Sequence, residues 1–298
     1  MKRYYHLFAN GSDARNFITN EDEMKAAFNR IGLCSSLTHA EVVSFSIEDS
    51  HPHALLWVTL SECQLFKGYY EDISSRSIAR RRGSLDGVRL CCELYEVTDQ
   101  TYLMNVAAYT IIQPTKDGKA IMPFDYLYGS GSLYFRSRYV TLPWMYDKDG
   151  NIGKAELFRD LKVREKRRVC GSTTDIPNNW EVCNGFILPT NYINIGRFES
   201  IYKTHNCYRV FLASGKDKYK EVLDKMASVR GIMIDDLEAR KICETVCSNV
   251  FNHKGTRHLT PEQRLNLARE LSKKHHLSIR QISTLVRIPE DEIRKYIH

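Results

Sequence analysis

The sequence predicts an α+β architecture: an antiparallel sheet with helices on one face, followed by a C-terminal helix-turn-helix module. Three observations lead there. Over residues 4–113 the apolar patterns run strand, helix, strand, strand, helix, strand, helix. Residues 261–297 carry three short amphipathic segments separated by turn residues. The composition, 43% hydrophobic and 27% charged over 298 residues, is that of a globular chain with room for more than one folded unit.

Each element has its own signal. Residues 4–10 are aromatic and apolar and stop at Gly11-Ser12-Asp13, a strand and a turn. Residues 20–31 open with a capping asparagine and acids. Met24, Ala27, Phe28 and Ile31 follow at helical spacing, and Gly32 is expected to close the helix. Residues 38–47 and 54–60 read as strands, and Asp49-Ser50 between them suits a hairpin. Residues 61–82 read as a helix ending in Arg80-Arg81-Arg82, before Gly83. Residues 88–97 are compatible with strand or helix. Thr98 is expected to cap an apolar helix over residues 102–113, which Pro114 should stop. Residues 125–215 are rich in Tyr, Gly and Asn, without repeats, and contain a basic helical segment at 162–168. Residues 216–251 read as helical. Helices are then expected over 261–275, 278–286 and 289–297. Ile279, Ile282, Leu285, Ile288, Ile293 and Ile297 would supply the core of the helix-turn-helix.

Lys plus Arg is 43 against 36 Asp plus Glu, a net charge of +7, which permits a polyanionic partner. No apolar run is long enough to span a bilayer, and the first residues do not read as a signal peptide. The nine cysteines are scattered, with no CxxC pairs. They are expected to be reduced, mostly buried thiols of a cytoplasmic protein.

Two constellations could carry chemistry. In His51-Pro52-His53 the imidazoles stand two apart at the start of a strand, so both project to one side and can chelate one ion. Alone, such a pair is more often structural. In Tyr109-Thr110-Ile111-Ile112-Gln113-Pro114, Tyr109 and Gln113 are four apart and share a helix face. Alone, Tyr109 is more often a core aromatic, and Gln113 a surface residue.

Four stretches together resemble the single-tyrosine HUH transposases, particularly the REP-associated branch. They are Tyr5 to Gly11 with Arg15, Phe17 and Ile18; Ser50 through Leu56; Tyr109 through Pro114; and Asp125 through Ser132. They follow the family's order and span about residues 4–135. Two features depart from its pattern: a proline between the histidines, and Ala9-Asn10 where a basic residue often precedes the glycine.

The resemblance implies a ferredoxin/RRM-like nuclease domain that cleaves and rejoins single-stranded or hairpin DNA. It implies Tyr109 as nucleophile, with Tyr102 in reserve, and a 5′-phosphotyrosine intermediate. His51, His53 and Gln113 would hold a divalent metal ion, magnesium or manganese ahead of zinc. Candidate nucleic-acid contacts are Arg76, Arg80, Arg81 and Arg82, with the solvated face of a helix as the equal alternative. In the C-terminal module, Arg280, Gln281, Arg287, Arg294 and Lys295 are candidates for duplex DNA. Glu290, Asp291 and Glu292 nearby would repel phosphate.

The expected organisation is a nuclease domain over 1–135, an extension over 136–254 and a DNA-binding module over 255–298. A homodimer is as compatible with the resemblance as a monomer. A prokaryotic cytoplasmic location, nucleoid-associated when bound, is expected, with no membrane partner. The competing readings are a DNA-binding regulator descended from such a transposase without cleavage, an unrelated metal-dependent hydrolase, and a docking protein.

Overall fold

The computed structural model describes residues 1–9, 18–48, 51–83, 90–116, 118–136, 141–213, 219, 222–223, 226, 236–253, 255–273, 277 and 279–296. The chain forms two compact units, Met1–Val222 and Leu223–His298.

The first unit is a mixed α+β structure built on an antiparallel sheet. Its leading elements are β1 (Arg3–Ala9), α1 (Glu21–Thr38), β2 (Glu41–Ile47), β3 (Pro52–Val58), α2 (Leu60–Arg82), β4 (Cys92–Val97) and α3 (Gln100–Lys116). The strands lie in the order β2-β3-β1-β4, every neighbour antiparallel. Residues 88–89 lie outside the described residues, and 92–97 resolve as strand.

Helices cover both faces of this sheet, not one as expected. Strand alternation puts Leu7, Phe45 and Ala54 on the first face, and Phe28 of α1 packs on Phe45 there. His6, His53 and Tyr95 point to the second face, where α3 lays Tyr109 on His53 and Tyr102 on Tyr95. Two covered faces explain why β1, β2 and β3 read as continuous apolar runs.

Three element ends differ from the sequence reading. Helix α1 is capped by Asn20, whose side chain accepts from the Glu23 amide at 3.0 Å, but it runs past Gly32 to Thr38. Gly32 is there for space: a Cβ would stand 2.8 Å from Cε1 of Tyr192. Asp99, not Thr98, caps α3, its carboxylate accepting from the Tyr102 amide at 2.7 Å. Pro114 lies inside the last turn of α3. So near the end it interrupts little, and its own carbonyl is taken up by the Lys119 amide at 2.8 Å. By contrast, α2 begins with a reciprocal box between Thr59 and Glu62 and ends at Gly83, φ 72°.

Residues 123–213 pack against β2 and α1. They contain a small sheet, β5 (Glu156–Leu157), β6 (Glu181–Cys183) and β7 (Phe186–Ile187), and three helices, α4 (Val163–Cys170), α5 (Ile195–Tyr202) and α6 (His205–Ala213). Isolated bridges Val42↔Ile193 and Ser46↔Gly129 cover the β2 edge. Buried Asn29 stitches this layer to α1 through three hydrogen bonds. Its amide donates to the carbonyls of Val169 and Gly185 at 3.0 and 2.8 Å, and its oxygen accepts from the Ile187 amide at 2.9 Å.

The second unit packs α7 (Asp236–Phe251), α8 (Pro261–Lys273), α9 (Ile279–Val286) and α10 (Glu290–Tyr296) about one apolar core. Ile282, Ile288 and Ile293 are buried in it and Ile279 and Leu285 pack against it, as expected; Ile297 lies outside the described residues. Between α9 and α10 Arg287 turns the chain at φ 58°.

All nine cysteines are free, and burial raises most of the thiols that are enclosed, Cys63 to about 12. No helix among the described residues is long and apolar enough to cross a membrane.

Candidate metal and tyrosine site

The histidine pair sits where a hairpin closes. The Glu48 amide donates to the His51 carbonyl at 2.9 Å, and the His51 amide returns a bond to Glu48 at 3.3 Å. Asp49 and Ser50, the expected turn, lie outside the described residues. Pro52 is the first residue of β3 and pairs only with Ile47; the ladder to β1 starts at His53. Its missing amide is therefore tolerated, although β3 is central.

This hairpin gathers three ligand-bearing side chains. One ligand atom from each of Glu48, His51 and His53 lies within 4.8 Å of the others. His53 is fully buried and Glu48 is 1% exposed. His51 reaches toward solvent, its Nε2 3.9 Å from Glu48 Oε2. Two imidazoles and a carboxylate form a donor set for a divalent ion such as manganese or zinc. Ser46, directly across from His53, carries a buried hydroxyl without a hydrogen-bond partner among the described residues. A small polar site fits such a donor set.

His6 stands behind His53. Its Nε2 is 3.4 Å from His53 Nδ1, and both rings are wholly buried. Such a contact holds one proton. With that proton on His53 Nδ1, His53 Nε2 keeps its lone pair for a ligand role.

Tyr109 closes the group from α3. Its ring meets His53 edge-on at 5.4 Å between centroids, and His6 at 6.4 Å. It is 3% exposed. Tyr219 also packs on it, at 5.9 Å between centroids, its own phenol donating to the Phe211 carbonyl at 2.9 Å. Gln113 follows one turn along the same helix and is half-buried. The structure thus brings His51, His53 and Tyr109 together and adds Glu48 and His6. The signals for the latter two were at hand: Glu48 stands three residues before His51, and His6 lies in the opening strand motif.

The basic candidates fall elsewhere. Helix α2 lies across the sheet from α3, against Cys92 and Ala9. Its Arg76 is ion-paired with Asp72, and Arg80 is exposed; the side chains of Arg81 and Arg82 lie outside the described residues. In the second unit, Arg287 and Lys295 are exposed and Gln281 is half-buried. The side chains of Arg280 and Arg294 lie outside the described residues.

No protein-family model matches this chain, and no curated protein matches it. Among solved structures it is similar to a REP-associated tyrosine transposase bound to a REP hairpin. The identity is 12%, over 44% of this chain and 78% of that one, with a TM-score of 0.31.

Proposed function

We propose that this protein cleaves and rejoins single-stranded DNA through Tyr109, with a divalent metal ion held by His51, His53 and Glu48. The observation that carries the reading is the edge contact between Tyr109 and His53 inside that cluster. A structural tyrosine needs no ligand set beside it, and a metal site for hydrolysis needs no tyrosine.

Glu48, His51 and His53 would hold the ion, with Gln113 a further donor from α3. The ion supplies Lewis-acid polarisation of a phosphate oxygen. The Tyr109 phenol, whose ordinary pKa is about 10, gives up its proton and attacks phosphorus. The bond from phosphorus to the 3′ oxygen breaks, and that oxygen leaves as a hydroxyl. The 5′ phosphate remains on the tyrosine. Return attack by a 3′ hydroxyl reseals the strand and restores the phenol, so no outside energy source is needed. His6 keeps His53 in the ligand tautomer.

The strand order β2-β3-β1-β4, with crossing helices α1 and α2, supports a ferredoxin-like sheet as the platform. The turn at Arg287 between α9 and α10 supports a helix-turn-helix as the DNA-binding end. A hairpin with single-stranded flanks is the expected substrate.

The test is a denaturing gel of the protein with labelled single-stranded DNA from the flanks of its own gene, in manganese. Wild type should give a denaturant-stable shifted band, and Tyr109→Phe none. An adduct persisting in Tyr109→Phe would overturn the nucleophile and move suspicion to Tyr102. Native-gel binding without any adduct would leave a DNA-binding regulator.

A further inference from the structure

The second unit holds a cleft that the helix-turn-helix reading does not use. It lies between α7, the 3-10 turn Thr256–His258 and the end of α9, and encloses about 550 Å³.

Arg240, Arg257, His258 and Arg287 line this cleft, with Glu244 as a carboxylate among them. All four basic side chains are exposed. Arg287 adds an independent observation. It holds φ 58° at a turn position where glycine is usual. A side chain in that conformation is uncommon, and here it is a cation turned to the cleft. The first turn of α10, the end that would enter a major groove, carries Glu290, Asp291 and Glu292 instead.

We infer that this cleft, and not the leading end of α10, grips the phosphate backbone of duplex DNA, without regard to sequence. The inference rests on the DNA-processing reading above only for the identity of the polyanion.

The test measures anisotropy of a labelled random-sequence duplex against the full chain over a series of salt concentrations. EDTA is present and every protein carries Tyr109→Phe, so no adduct contributes and failure of the tyrosine reading leaves the result intact. Arg240→Gln with Arg257→Gln should weaken binding about tenfold and flatten the salt slope by about 2, roughly one per lost phosphate contact. Glu244→Gln should tighten binding, which a misfolded variant would not do. An unchanged slope in the arginine variant, an equal loss in Lys295→Gln, or no duplex binding by the parent protein would each overturn the inference.

Discussion

At the scale of single residues, the proposed metal site turns on His6 and His53. A buried imidazole pair 3.4 Å apart couples the two tautomers through one proton, and partners of this kind are worth about 10–100-fold in metal affinity. His6→Ala is therefore expected to weaken manganese binding by that order in calorimetry, with partial rescue by His6→Asn, which keeps a polar side chain. Unchanged affinity in both would remove His6 from the site. Much of this constellation was legible beforehand because its spacings are local: two residues along a strand for His51 and His53, four along a helix for Tyr109 and Gln113. Glu48 and His6 had only a nearby position and a place in the opening strand motif as signals; a hairpin closure and a cross-strand register had to bring them into the site.

At the scale of elements, the sequence patterns found the strands and helices but misjudged ends that tertiary contacts decide. Gly32 reads as a stop, yet it is mid-helix because Tyr192 needs the room. Gly32→Ala gains helix propensity of up to about 1 kcal/mol, but overpacking costs about 1–3 kcal/mol. Net destabilisation is expected in thermal melts. At the start of α2, Thr59→Ala should cost about 1 kcal/mol in denaturant unfolding. The backbone and hydroxyl bonds from Thr59 hold the Glu62 carboxyl below its ordinary range. Its contribution is present above the unfolded pKa and fades as pH falls through the lower folded one. The penalty of Thr59→Ala should therefore shrink in acid, modestly, because Glu62 is largely solvated.

For the whole molecule, the sheet works as a partition. One face, under α1 and α2, is core; the other, under α3, gathers the histidines and Tyr109. The continuous apolar run over residues 54–60 signals a strand buried on both faces, but such a run does not say which helix covers which face. Asn29 ties the later layer of the first unit to α1 with three bonds, two of them buried and one part-buried. Asn29→Ala leaves their partners unsatisfied and should cost about 2–3 kcal/mol, read as a lower melting midpoint.

Tyr109 is nearly sealed, with the His53 and Tyr219 rings both packed against it. A tyrosine so enclosed also keeps water away. A strand end parked on it would be shielded from hydrolysis, and the trapped bond would persist until another strand end arrived to claim it. If Tyr109 is the nucleophile proposed above, the ratio of resealed to hydrolysed product, more than the speed of cleavage, would be the quantity this enclosure controls.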